Sequence, residues 1–216
     1  RGLEYCQTAS IPEYVPENAL VLARATFDLG DLEACGAALD SFPSSASEQK
    51  RRRTSEWVVF DALRARCHLA HNDRQGTLEA IREGLARFES SLAAMDASPE
   101  TYVVLLGKND LRELMHELLV EQPEGGYQVE QQWRRARSLI RADAPTGVLS
   151  ACADLVAAYL EPHLKPVAAS SSTKSFAHKG SSTEVRVLYY VGKRGVRWTV
   201  TPHGGRRDEI HLVETR

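Results

Sequence analysis

The chain has 216 residues, 43% of them hydrophobic and 26% charged, a composition that fits a soluble domain or a repeat array with a small appendage. It excludes wholesale disorder, a collagen-like fibre and a bundle of membrane helices, because no run of about 18 apolar residues occurs. The net charge of -2 conceals an asymmetry: from Val167 onward nine basic residues face four acidic ones, which leaves the first 166 residues at -7. The basic tail suits nucleic acid, an anionic membrane or an acidic partner, or else is an ordinary solvated sheet face. Cys6, Cys35, Cys67 and Cys152 stand far apart with no CxxC pair. That points to buried thiols in a reducing compartment, hence an intracellular, cytoplasmic protein. The sequence starts at Arg1 without a methionine or a signal-peptide pattern, which suggests a fragment or a processed product.

The first element with a clear pattern is a repeat. From Leu22 to Leu39, apolar and small residues recur at helical spacing around a Gly30-Asp31 interruption, which reads as helix, turn, helix. A shift of 42 positions lays Ala23 on Ala65, Phe27 on Leu69, Gly30 on Asn72, Asp31 on Asp73 and Leu39 on Ile81. Glycine and asparagine best tolerate the left-handed backbone that ends one helix. Asp31 and Asp73 are then placed to cap the next.

These residues resemble the tetratricopeptide (TPR) repeat. Ala23 and Ala65 match its first small position, Cys35 and Thr77 stand at the second, where alanine is usual, and Pro43 lies near a repeat end. The period of 42 exceeds the family's 34, and most Trp and Tyr signature positions are unfilled. The segment Ser44 to Thr54 supplies the excess as a loop or helix extension. The resemblance covers about Glu17 to Ser90 and implies stacked antiparallel helical hairpins whose first helices line a concave, peptide-binding face.

Further helices follow. Pro99 opens one whose apolar residues, from Tyr102 and Val103 through Leu106, Leu111, Leu114 and Met115 to Leu119, recur at spacings of three and four; it should end before Pro123. Val129 to Ala142 places Val129, Trp133, Ala136 and Ile140 on one stripe, with Arg134, Arg135, Arg137 and Arg141 largely off it. Thr146 to Leu160 makes a last helix, for about seven in all.

At Pro166 the composition changes. Residues 166–183 are Ser-rich and read as a flexible linker. Beyond it the hydrophobic period becomes two. Val185 to Val191 forms a strand, Gly192 to Gly195 a turn, Val196 to Val200 a second strand, Pro202 to Gly205 another turn, and Ile210 to Val213 a third strand. Such a three-stranded meander has a small core and needs a covering element. The fold class expected is therefore mainly α: a TPR-like helical-hairpin array over residues 1–165, the linker, and a small C-terminal β-meander over 184–216. The strands around VLYYVGKRG and VRWTVTPHGG also resemble the opening of a CHAT (caspase-like) domain, about Glu184 to Val213. The histidine and cysteine of that family lie further downstream, so the resemblance gives no catalytic role to His203.

Catalytic and metal motifs do not assemble. His116-Glu117 begins like HExxH, but Val120 occupies the second ligand position. Gly107-Lys108 is followed by Asn109 where a phosphate loop needs Ser or Thr, and no GxSxG is present. Cys67 with His68 or His71 has the residue types of a thiolate–imidazole pair, but Cys67 reads more simply as a small core residue. No zinc spacing emerges, so no cofactor is expected and the chain is read as a non-enzyme.

Binding features remain. Arg24, Asp28, Arg64, Arg66 and His68 fall on the first helices of the two hairpins, where arginines can grip a carboxylate in bidentate fashion or simply meet water. Arg186, Lys193, Arg194, Arg197, Arg206 and Arg207 form a basic set in the tail. Lys50 to Arg53 is a phosphate contact, an import signal or a surface loop, and Trp133 among arginines is a stacking platform or a core residue. The function expected is a protein-interaction scaffold or regulatory module that takes a peptide or partner domain. The alternatives are the regulatory part of a TPR plus caspase-like protease whose catalytic residues are absent here, and RNA binding through the basic strands.

Overall fold

The computed structural model describes residues 15–42, 54–94, 98, 101, 105–106, 109–119, 122–139, 147–160, 174–176, 186–191, 195–201 and 203–210. Among them the fold is mainly helical with a small C-terminal antiparallel sheet, as expected. It divides into two compact units, residues 1–111 and 112–216. The boundary therefore falls well before the Ser-rich segment that composition marks as a linker.

In the first unit, helix α1 (Val15–Asp28) packs on α2 (Leu32–Asp40), and α3 (Thr54–Ala70) packs on α4 (Arg74–Ala94). Both turns follow from the residues predicted to make them. Gly30 has φ +80° and Asn72 φ +57°. In the first turn the amides of Gly30 and Asp31 donate to the carbonyls of Phe27 and Thr26; in the second, those of Asn72 and Asp73 donate to Leu69 and His68. This double closure ends a helix with its last carbonyls satisfied. Asp31 then accepts from the Ala34 amide at 3.0 Å and Asp73 from the Gly76 amide at 2.9 Å, capping α2 and α4.

Helix α3 touches both helices of the first hairpin. Ala23, Ala65, Cys35 and Thr77, the small residues of the repeat, are all fully buried, and Cys67 lies at the rim of the core that holds Ala23 and Cys35. That core gathers Leu20, Leu39, Phe42, Trp57, Phe60 and Leu63, with Phe42 stacked on Phe60 at 4.7 Å and edge-on to Trp57 at 4.9 Å.

The single helix expected from Pro99 to Leu119 is interrupted. Asn109 is not helical; its side-chain oxygen accepts from the Leu111 amide at 3.0 Å, and α5 (Asp110–Leu118) begins there. Asparagine competes with the helical backbone for its own neighbours' amides and so favours a start over an interior. Helix α6 runs from Pro123 to Leu139, beginning six residues before the expected Val129. Proline suits a first helical position. Gly125 and Gly126 belong there because of their neighbours: a Cβ on Gly125 would lie 2.9 Å from the Tyr159 ring, and one on Gly126 would lie 3.3 Å from Trp198. Helix α7 (Val148–Leu160), which carries Tyr159, packs on α6.

The second unit also contains the sheet. Strands β1 (Lys174–Phe176), β2 (Arg186–Val191), β3 (Gly195–Thr201) and β4 (Gly204–Ile210) lie in the order β1-β4-β3-β2, all antiparallel. Two corrections follow. The Ser-rich segment contributes an edge strand, and the third strand of the meander is Gly204–Ile210 instead of Ile210 to Val213; residues 211–213 lie outside the described ones. Thr201 pairs with Gly204, so two residues make the turn and Gly205 already faces Val200. The polar run GGRRDEI hides this strand because its charges pair along the strand and with β3 rather than meeting water alone. The covering element is α6: Tyr127 joins Tyr190, Val196, Trp198 and Val200 in one core, and the Trp198 indole donates to the Pro123 carbonyl at 3.1 Å. A helical domain ending at 165 and a separate β-segment from 184 do not describe this arrangement, in which sheet and helix share a core.

Candidate functional site

The five residues expected to grip a partner sit on α1 and α3 as placed by the repeat. Arg24 and Arg66 occupy equivalent positions, 42 apart. Arg24 lies 3.9 Å from Asp28 and 3.5 Å from Asp110. Arg64 pairs with Glu83 and reaches over the Phe60 ring, and His68 Nδ1 is 2.8 Å from Asp73. The Asp73 carboxyl is held below the usual carboxylate range, first by the Gly76 amide and then by His68. Arg64 likewise holds Glu83 low. Arg24 and Arg64 therefore stand in ion pairs at a wet surface, and His68 is hydrogen-bonded to Asp73 there. Such pairs are worth little individually, so a competing carboxylate can replace the resident one at small cost.

Beside them α1 exposes a stripe of large apolar side chains. Val21 is 66% exposed, Leu22 41% and Leu29 84%. Leu29 stands in the turn just past α1; Val21 and Leu22 lie four and three residues before exposed Ala25, and Leu29 four after it, spacings that put them on neighbouring positions of one side of the helix end. The helical spacing of Leu22 and Leu29 within the repeat does not by itself reveal this face; the signal in the sequence is a helix apolar on more than one side.

Deeper in the same unit, Asp61 on α3 is buried and takes both oxygens to Arg87 on α4, at 2.8 and 2.7 Å, while Arg87 lies over the Trp57 ring at 4.5 Å. Burial pushes the Asp61 carboxyl up to about 6, outweighing the pull of Arg87 and Arg64. Across α2 and α3, the sulfurs of Cys35 and Cys67 stand 3.0 Å apart. Spacing in sequence gave no hint of this, because the contact follows from the packing of one hairpin on the next. His71, the partner considered for Cys67, instead places Nδ1 2.8 Å from the Cys67 carbonyl.

The basic tail does not make one surface. Arg197 and Arg206 lie on the side of the sheet away from α6, and both contact Asp208, at 2.8 and 3.0 Å. Arg207 points to the opposite face, where it is buried 3.4 Å from Glu209. Arg207 is thus no part of an anionic-binding surface, and the two outward arginines are already neutralised in part. Arg186 is in β2, its side chain outside the described residues, as are Lys193, Arg194 and the Lys50–Arg53 run. His203 is exposed in the turn.

Where α5, α6 and β2 meet, a buried ionic network appears that sequence reading did not foresee. Glu130 on α6, 1% exposed, accepts from Arg112 at 2.7 Å and from Arg134 at 3.0 Å. His116 places Nε2 3.5 Å from Glu130 and stacks on Tyr190 at 4.1 Å. Arg112 lies over the same Tyr190 ring, and Arg134 donates to the Tyr189 carbonyl at 2.8 Å. Burial pushes the His116 imidazole down, Glu130 restoring only part of the shift. Burial raises Glu130, but His116 and Arg112 together outweigh it and leave the carboxyl below its ordinary value. The Tyr190 ring, the histidine and two arginines thus gather around one buried carboxylate. Trp133, also buried on α6, is a core residue. Among the described residues no group of three or more His, Cys, Asp or Glu side chains is arranged to hold a metal, and no helix is long and apolar enough to cross a membrane. No family model matches the chain, and neither a curated protein nor a solved structure matches it.

Proposed function

We propose that the chain is a protein-interaction module of TPR type without catalytic activity, acting as a scaffold or regulator inside the cell. Its partner is a peptide or domain that lays apolar side chains on Val21, Leu22 and Leu29 and offers carboxylates to Arg24, Arg64 and Arg66. The observation that carries this reading is the exposed apolar face of α1 next to an arginine whose resident acids are exchangeable. Aromatic and aliphatic contacts would supply affinity, and the arginines would select acidic sequences and set orientation.

The test is selection of binding peptides from a random library on the 216-residue chain, followed by affinity measurements on two variants. Selected peptides should combine apolar and acidic residues. Leu29→Asp should weaken them by roughly tenfold or more, the scale of a lost anchor, and Arg24→Glu by less. Peptides bound equally well by both variants would contradict the reading.

A further inference from the structure

Cys35 and Cys67 are free thiols on different hairpins, 32 positions apart in sequence, with sulfurs at 3.0 Å. Both lie within the apolar core of the first unit: Cys35 is 0% exposed and Cys67 9%. Only about 1 Å of closure separates them from a covalent bond of the usual length. Alanine is the residue usual at the position of Cys35 in the repeat it resembles.

We infer that Cys35 and Cys67 are an oxidation site at which a small peroxide converts the pair into a disulfide, tying the first hairpin to the second. Cys67 is the residue oxidised first, because it is the more accessible. Its thiolate attacks one oxygen of hydrogen peroxide, breaking the O–O bond and giving Cys67 sulfenic acid and hydroxide. The Cys35 sulfur then attacks the Cys67 sulfur, displacing the hydroxyl as water; the two thiol protons end in the two waters formed, and the sulfur pair loses the two electrons that peroxide gains. A resolving thiol at 3.0 Å intercepts the sulfenic acid before a second peroxide can carry it to sulfinic acid. Burial, and then Cys35 itself, push the Cys67 thiol up to about 12, so the thiolate is scarce at neutral pH. Oxidation is therefore slow at pH 7 and quickens as pH rises toward that value.

The bridge closes a loop that includes residues 43–53 and fixes α2 against α3. It acts on the unfolded chain by removing freedom, so it raises the melting midpoint, by something on the order of 10 °C for a loop of this length in a unit of this size. It reverses with a dithiol reductant.

The experiment is peroxide treatment of the folded 216-residue chain at pH 7 and pH 9, then peptide mapping without reduction, with urea-unfolded chain as the reactivity control. A cross-linked peptide joining Cys35 to Cys67, faster at pH 9 and accompanied by a higher melting midpoint, is the expected result. Cys35→Ala should abolish both the cross-link and the shift, and should leave Cys67 to proceed to sulfinic acid. Intact thiols at pH 9 under conditions that oxidise the unfolded chain, sulfinic acid on Cys67 in the parent, or a different cysteine pairing would each overturn the inference; since the parent protein carries these readouts, a variant that fails to fold does not blunt them.

Discussion

The two compact units solve the same problem by different chemistry. Residues 1–111 are held by short-range rules: left-handed residues that turn the chain, aspartates that cap the next helix, and small side chains where helices cross. Residues 112–216 are held by contacts far apart in sequence: Tyr127 against Trp198, Pro123 against the Trp198 indole, Glu130 between Arg112 and Arg134. The first unit sets a buried acid, Asp61, on Arg87; the second buries a carboxylate, a histidine and Arg112 in one network, with Arg134 reaching it from the surface. The difference teaches that a repeat can be read locally, whereas a helix-covered sheet has to be assembled before its residues make sense.

The largest expected effect breaks the first unit. Ala65→Arg forces bulk and an unpaired charge into a fully buried crossing and should cost about 4 kcal/mol or more, read as a collapse of the urea midpoint. A parent-like melt would mean that the hairpins do not pair through Ala65. In the second unit, Glu130→Ala leaves Arg112 buried beside Tyr190 without its carboxylate and should cost about 3 kcal/mol. The double variant Arg112→Leu with Glu130→Leu should recover much of that loss, because replacing both partners removes the uncompensated charge.

Acid sharpens the contrast, since the two units should respond with opposite sign. The folded pKa of Asp61, about 6, lies above its unfolded value of 3.8. Between these values the unfolded chain has already released its proton, so stability falls as pH rises from about 4 to about 6, by roughly 2 kcal/mol after allowing for the partly exposed Arg87. Glu130 and His116 are both shifted down. Each therefore stabilises the fold above its unfolded pKa and withdraws that support as pH falls. Relative to the parent, Asp61→Asn should gain stability as pH rises from about 4 to about 6 and Glu130→Gln should gain as pH falls below its unfolded value of 4.5, in urea titrations carried from pH 7 down to about pH 3. Curves of the same slope for the two variants would remove the distinction.

The smallest effect tests the local rules. Asp31→Ala deletes the cap of α2 and should cost about 1 kcal/mol, with the loss confined to the first unit.

What was legible in the sequence follows the same divide. Gly30 and Asn72 betray the turns because few residues accept that backbone, and Asp31 and Asp73 betray the helix starts because a carboxylate there satisfies free amides. The start of α6 was hidden because Pro123-Glu124-Gly125-Gly126 has the composition of a loop, and only the approach of Tyr159 and Trp198 explains two glycines in a helix. Strand β4 was hidden because Arg206, Arg207, Asp208 and Glu209 are its interior, their charges matched within the sheet. Of the candidate site, Arg24, Asp28, Arg64, Arg66 and His68 were found by their place on first helices, while the pairing of Arg24 with Asp110 and of Arg64 with Glu83, and the exposure of Val21, Leu22 and Leu29, required the packed hairpins. The Cys35–Cys67 contact carries no local signal at all.

The measurement that bears most directly on the division into two units is hydrogen exchange on the full chain with Trp198→Ala, a substitution expected to cost about 3–5 kcal/mol where the indole packs on Tyr127 and α6. Amides of β2, β3, β4 and Pro123–Leu139 should lose protection together, with those of Thr54–Ala70 and Arg74–Ala94 unchanged. Loss confined to the strands, with α6 as protected as before, would contradict a shared core and return the sheet to the status of a separate appendage.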